Sequence, residues 1–148
     1  MSTVPPGRTI TFLLNDLARL ARRHFAEGLA DAGLELTLGE ARALAFARRL
    51  PGKRQHELAE YLGVEPMTLV GFLDRLEAAG LVERVADPDD RRAKLVRLTD
   101  KAAPVIRIFD ELTDRIRKTA FDGFSEDEIE RTFALLDTMR ANLGGCTR

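Results

Sequence analysis

The chain has 148 residues, of which 45% are hydrophobic and 32% are charged, and its formal net charge is -1 at pH 7. A chain of this length and apolar content can bury one ordinary core, so a single domain over residues 1–148 is predicted. The near-neutral charge excludes a general electrostatic attraction to nucleic acid or anionic membranes, so any such binding must use local basic patches.

Several classes of protein are disfavoured. No apolar run approaches the roughly 18 residues of a membrane span, and Pro5, Pro6 and Gly7 replace a secretory apolar region, so we expect a cytoplasmic protein without a membrane partner. The single cysteine, Cys146, permits no internal disulfide, and the two histidines lack the spacing of a zinc site. No metal or cofactor is expected. Because no phosphate-binding glycine loop or nucleophile motif is present, we do not expect an enzyme.

The apolar spacing predicts helices from the start of the chain. Apolar residues recur every three or four positions over residues 9–32, which predicts one long helix that Gly33 ends. Thr37 and Glu40 form the pattern of a capping box, which predicts a second helix through about Leu50.

The next two predicted helices are short. The third covers about residues 55–62 with Gly63 as its stop, and the fourth covers about residues 65–79 with Gly80 as its stop. Two short helices joined by a tight glycine-containing turn are the pattern of a helix-turn-helix. Four apolar residues of the fourth helix are predicted to point inward: Leu69, Phe72, Leu73 and Leu76.

A β-hairpin is predicted directly after these helices. The alternating stretches LVERVA and AKLVRLT flank DPDD, in which Pro88 and three aspartates favour a turn. A hairpin in this position is a wing. Residues 37–99 are therefore predicted to form a winged helix-turn-helix.

The remaining residues are predicted to be helical. Two helices cover residues 101–143, with Pro104 tolerated near the first turn of one and a capping box of Ser125 and Glu128 opening the other. Their apolar stripes and that of residues 9–32 exceed what a short module needs, so dimerisation is predicted, with a plain intramolecular core as the alternative. The fold class is mainly α with a small β-hairpin, a winged helix-turn-helix flanked by N- and C-terminal dimerisation helices.

The segment ELAEYLGVEPMTLVGFLDRLEAAGLVERVADPDDRRAKLVRLTDKA resembles the core of the MarR family of winged helix-turn-helix transcription regulators, most closely its SlyA-like members. Its specific parts are LDRLEAAGLVER and DRRAKLVRLT. The resemblance implies a homodimer that binds a pseudo-palindromic operator in double-stranded DNA as a sequence-specific regulator. It also implies a small phenolic or anionic effector that changes the spacing of the two recognition helices.

The resemblance assigns DNA contacts to the wing. Asp90 and Arg92 match the family's Asp-x-Arg, in which the arginine enters the minor groove and the aspartate holds its guanidinium. A narrow minor groove concentrates negative potential, which suits a planar and permanently charged guanidinium. Arg91 and Lys94 are expected to contact phosphates. The alternative is a solvated turn in which these charges pair only for solubility.

The fourth helix and the start of the third supply the other predicted DNA contacts. The residues are Met67, Thr68, Val70, Gly71 and Arg75, with Gln55 at the first turn of the third helix. The resemblance places Arg75 near the DNA backbone, paired with Asp74 or with the wing. Free N–H groups at the start of the third helix favour a phosphate near Gln55.

Gly71 departs from the family, whose members commonly have arginine at this position. Either the glycine allows close approach of the helix while Met67, Val70 and the Thr68 methyl group contact thymine methyls, or base-specific binding is weakened. The second interpretation leaves a winged-helix module for protein interaction as the alternative function.

Other basic residues could supplement phosphate binding. They are the adjacent pairs Arg48 with Arg49 and Lys53 with Arg54. Residues 51–101 nevertheless contain nine basic against ten acidic residues, so non-specific affinity is expected to be modest and strongly salt-dependent.

Overall fold

The computed structural model describes residues 9–144; the predictions on the leader and on Cys146 lie outside this range. The fold is mainly helical with one antiparallel hairpin, as predicted. The elements are α1 (Ile10–Asp31), α2 (Leu38–Arg49), α3 (Gln55–Leu62), α4 (Pro66–Ala78), β1 (Val82–Ala86), β2 (Lys94–Leu98), a short 3₁₀ turn (Asp100–Ala102), α5 (Ala103–Ala120) and α6 (Glu126–Gly144).

The described residues form two compact units, divided between Thr113 and Asp114. The first unit contains α1 to α4, the hairpin and most of α5. The second contains the end of α5 and α6. No helix in the described part of the chain is long and apolar enough to cross a membrane.

Both predicted capping boxes are present, which explains why α2 and α6 begin where they do. The Glu40 backbone N–H donates to the Thr37 hydroxyl oxygen at 3.2 Å, and the Thr37 backbone N–H donates to the Glu40 carboxylate at 2.8 Å. Ser125 and Glu128 repeat this exchange at 3.3 and 2.8 Å. Each box satisfies two N–H groups that a helix start otherwise leaves without partners.

The core of the first unit fixes the position of α4. Its largest fully buried side chains come from α2, α3, α4 and both strands: Leu44, Leu58, Leu69, Leu73, Leu76, Val82 and Val96. Phe72 is half-buried and lies against Gly39, where any Cβ would overlap the Phe72 ring. The predicted inward stripe of α4 is confirmed, and α4 can approach α2 closely because Gly39 has no side chain.

The hairpin register pairs Val82 with Leu98 and Ala86 with Lys94. The second strand is predicted to begin at Ala93 and begins one residue later, at Lys94, so the loop spans residues 87–93. Two backbone hydrogen bonds define this loop: the Asp87 N–H donates to the Ala93 carbonyl at 3.1 Å, and the Ala93 N–H donates to the Asp90 carbonyl at 2.9 Å. Arg91 and Arg92 consequently lie within the loop.

The second unit contains little buried surface of its own. Phe121 contacts Phe124 and Phe133, with ring centroids 5.6 Å apart in both pairs. Helix α6 has no buried residue. Its exposed large apolar side chains are Phe133, Leu135, Leu136 and Leu143.

Candidate DNA-binding surface

Helix α4 presents an apolar outward face. The αL conformation of Gly63 ends α3 and turns the chain toward Pro66, the first residue of α4. Met67 is 76% exposed and Thr68 is also exposed, whereas Val70 is partly exposed. Because the opposite side of α4 is buried in the core, these side chains face away from the protein.

Gly71 lies on the same outward face and is partly exposed. Its φ is not positive, and a Cβ at this position would meet nothing within 4 Å. Neither backbone conformation nor packing within the described structure therefore requires glycine here, although glycine inside a helix costs about 1 kcal/mol relative to alanine.

The Arg75 side chain differs from its prediction. Its Nε donates to Glu40, and its guanidinium carbon lies 5.9 Å from the centroid of the Phe72 ring. The expected pairing with Asp74 or the wing is wrong, because Glu40 is buried beside α4 and would otherwise lack a cation. Arg75 thus links α4 to the capping box of α2.

The wing is joined to α4 through a different arginine. Arg84 on β1 forms ion pairs with Asp74 at 2.6 Å and with Glu77 at 2.5 Å. The hydrogen bond from Arg84 holds the pKa of Glu77 below its ordinary value, and the hydrogen bond to Glu77 raises the pKa of Arg84. These two carboxylates fix the first strand of the wing against α4.

A second ion pair anchors the other end of the wing. Asp87 is only 5% exposed, and its carboxylate accepts the Asp89 backbone N–H at 2.9 Å and the Arg54 Nε–H at 2.6 Å. Arg54 also forms an isolated β-bridge with Leu95, so the start of α3 pairs with β2. The loop is therefore tied to the helix-turn-helix by both backbone and side-chain contacts.

The interaction between Asp90 and Arg92 also differs from the family pattern. The Asp90 carboxylate accepts the Arg92 backbone N–H at 3.0 Å, in the manner of an Asx turn. Its other oxygen lies 3.9 Å from Arg54 Nη1. Asp90 therefore holds the backbone of the loop, and the Arg92 guanidinium extends from a position that this turn fixes.

The basic residues of the module divide into two groups. Arg54, Arg75 and Arg84 are engaged in ion pairs within the protein. Within residues 9–144, four wing cations are exposed and have no ion-pair partner: Arg91, Arg92, Lys94 and Arg97. Cations without internal partners can neutralise phosphates, so the positive charge available to DNA is concentrated on the wing.

The basic residues predicted to supplement phosphate binding are mostly paired. Arg48 contacts Asp110 at 2.5 Å, and Lys53 contacts Glu57 at 3.0 Å. Gln55 is the first residue of α3 and is partly buried beside this pair. Surface pairs of this kind contribute little energy, and a phosphate could compete for Lys53.

The sequence reasoning missed the anchoring role of Arg54, Arg84 and Asp87. Asp87 directly before Pro88 is a local turn signal that could have indicated a carboxylate directed back to the loop. No local signal could have identified Arg54, because its partner is 33 residues away along the chain.

Acidification should weaken the Asp87 anchor. The Asp89 backbone N–H and the Arg54 guanidinium hold the pKa of Asp87 below its ordinary value. Its contribution to stability is therefore complete above the unfolded pKa of about 3.9 and is lost as the pH falls through the lower folded pKa. We expect Asp87→Asn to have a lower urea midpoint than wild type at pH 7. Between pH 7 and pH 3 the midpoint of Asp87→Asn should fall by less than the midpoint of wild type.

Asp122→Asn is the matched control, because it removes an exposed carboxylate outside this network. The urea midpoint of Asp122→Asn should fall between pH 7 and pH 3 by the same amount as that of wild type. An equal acid loss in wild type and Asp87→Asn would contradict the proposed anchor.

The architecture is that of a winged helix-turn-helix, and the comparisons show which proteins it resembles. Residues 36–94 match the model of the MarR family. Apo MarR from E. coli has 25% sequence identity, a TM-score of 0.76 and alignment over 89% of this chain and 97% of that chain. The match covers most of the winged helix-turn-helix, so this module is similar to that of the MarR family.

Two ligand-responsive proteins share the fold. PcaV from Streptomyces coelicolor, solved in complex with its natural ligand, has 24% identity and a TM-score of 0.69 over 95% of this chain and 98% of that chain. BpsR from Bordetella bronchiseptica, whose DNA binding is regulated by 6-hydroxynicotinic acid, has 22% identity and a TM-score of 0.71 over 94% of this chain and 98% of that chain.

In residues 9–144 no group of three or more His, Cys, Asp or Glu side chains could hold a metal ion.

Proposed function

We propose that the protein is a homodimeric, sequence-specific transcription regulator that binds a pseudo-palindromic operator and responds to a small phenolic or anionic effector. Within the family we place it with the SlyA-like members on the motifs LDRLEAAGLVER and DRRAKLVRLT. One observation carries the DNA-binding function: the exposed face of α4 and the exposed cations of the wing belong to one module, which the ion pairs of Arg84 link.

The two parts of this surface suit the two grooves of DNA. An α-helix fits the major groove, where the outward face of α4 would contact base edges. The Arg92 guanidinium would enter the neighbouring minor groove, and Arg91 and Lys94 would contact phosphates. The Arg84 bridge supports this division because it fixes the wing strand relative to α4.

The exposed apolar side chains of two helices support the homodimer. Phe12 on α1 is 71% exposed and Leu143 on α6 is 75% exposed. Other exposed large apolar residues on these helices are Ile10, Leu13, Leu17, Phe133, Leu135 and Leu136. Apolar surface in such quantity normally lies in an interface, and a second copy of the chain would cover it.

A cleft in the first unit suits the proposed effector. It lies between α1, α2 and α5 and has a volume of about 400 Å³. Phe25 and Phe109 meet edge to face on its wall, with ring centroids 5.3 Å apart. Arg48 and Arg49 lie at the same cleft, and within residues 9–144 Arg49 has no ion-pair partner. Aromatic walls with a free guanidinium favour a phenolic or carboxylate-bearing ring.

An effector in this cleft would act by shifting a population of conformations. Helix α2 carries Arg48 and Arg49 of the cleft. It also carries Glu40, whose carboxylate holds Arg75 of α4. A ligand that binds one spacing of the recognition helices more tightly than the other would change operator affinity by that difference.

The function is tested by fluorescence anisotropy with duplexes enriched from a random library. The enriched duplex should bind at least about a thousandfold more tightly than a scrambled duplex, with affinity falling steeply as salt increases. Benzoate, used as the probe anion, should weaken binding of the enriched duplex, and Arg49→Gln should reduce that effect. Equally weak binding of both duplexes would refute the regulator function and favour a protein partner.

A further inference from the structure

The chemistry of the α4 face indicates which bases it can distinguish. The three charged side chains of α4 are all engaged within the protein, Asp74 and Glu77 with Arg84 and Arg75 with Glu40. The remaining outward residues offer apolar groups, the thioether of Met67 and a single hydroxyl group: Met67, Thr68, Val70 and Gly71.

These side chains are unsuited to recognising guanine in the major groove. The commonest specific contact to guanine is a bidentate arginine or lysine on its O6 and N7 atoms, and the one such residue of α4, Arg75, is turned toward α2 by its ion pair with Glu40. Thymine, in contrast, presents a 5-methyl group in the major groove, which apolar side chains contact.

Gly71 adds a geometric argument. A Cβ at this position would project into open space on the exposed side of the helix, and the backbone φ does not require glycine. The missing side chain consequently affects only what approaches the helix from outside. A glycine here allows a base edge or its methyl group to reach the helix backbone.

We propose that α4 recognises thymine 5-methyl groups in the major groove of each half-site, and that Gly71 is a specificity-determining position. This inference rests on the proposed function and deepens it by naming the base feature that is recognised. The preferred half-site contains thymines facing Met67, Val70 and Gly71.

The test replaces individual thymines of the enriched duplex with deoxyuridine, which removes the 5-methyl group and retains base pairing. Each replacement at a thymine facing α4 should weaken binding about fourfold, the value of one buried methyl group. Replacements at thymines outside the half-sites are the internal control and should leave affinity unchanged.

Two substitutions test the role of Gly71. Gly71→Ala should raise the melting temperature, because alanine favours a helix, and should weaken binding to the enriched duplex. If Gly71 had only a structural role, Gly71→Ala would change the melting temperature and the affinity for the enriched duplex in the same direction. Gly71→Arg should select duplexes with guanine where the wild-type protein selects thymine.

The outcomes separate this inference from the proposed function. Specific binding that is insensitive to deoxyuridine would overturn thymine recognition and leave the regulator function in place. Unchanged affinity of Gly71→Ala would remove Gly71 from the interface. A wild-type protein that enriches no duplex would overturn both proposals.

Discussion

Replacing Leu136 and Leu143 with aspartate should convert the protein from a dimer to a monomer and weaken operator binding by roughly a hundredfold or more. Both side chains are exposed on α6, and α6 has no buried residue, so the substitutions should leave each subunit folded. Four additional charges per dimer in an apolar interface would be costly to desolvate. Loss of the dimer would separate two half-site contacts that otherwise reinforce each other.

Sedimentation equilibrium measures the first effect directly, because the mass should fall from twice the chain mass to 16.5 kDa. The control is Ala134→Asp, which adds a charge on the other, exposed side of the same helix. It should remain a dimer and bind the operator normally. A dimeric double variant would show that α6 does not form the interface.

The helices could be predicted because their boundaries depend on local residues. Each capping box forms its hydrogen bonds within one turn, between Thr37 and Glu40 and between Ser125 and Glu128. Four consecutive residues are therefore enough to predict each helix start. Gly63 likewise ends α3 by its own conformation.

The contacts that orient the wing could not be predicted in this way. Arg75 reaches Glu40 across 35 residues, and Arg54 reaches Asp87 across 33. Several carboxylates are available to each arginine in sequence, and only tertiary packing decides which one it meets. The same limitation explains why pairing of Arg75 with Asp74 was a wrong expectation.

The wing loop shows an intermediate case. Pro88 and the aspartates correctly predict a turn, but the strand register sets its length, and the register depends on which side chains of β2 are buried. The last pair of the ladder is Ala86 with Lys94, so β2 begins at Lys94 and both arginines lie in the loop.

Arg92→Ala should weaken binding to the enriched duplex at least tenfold, because both subunits of a dimer would lose a groove contact worth about 1–3 kcal/mol. Arg92 is exposed and has no ion-pair partner within residues 9–144, so its guanidinium is free to enter the minor groove. The Asp90 hydrogen bond to the Arg92 backbone N–H does not involve the side chain and should persist in the variant. The loop would therefore keep its shape and lose only the guanidinium.

Arg107→Ala is the matched control, since Arg107 is also exposed, has no ion-pair partner in the described range and lies on α5 away from the wing. It removes the same charge and should change affinity little.

Arg91→Ala tests for a phosphate contact, because it should weaken binding to enriched and scrambled duplexes alike and reduce the salt dependence. Arg92→Ala should instead reduce the preference for the enriched duplex, since a narrow minor groove is a property of sequence. Equal losses from Arg92→Ala and Arg107→Ala would mean that the wing supplies only general positive charge.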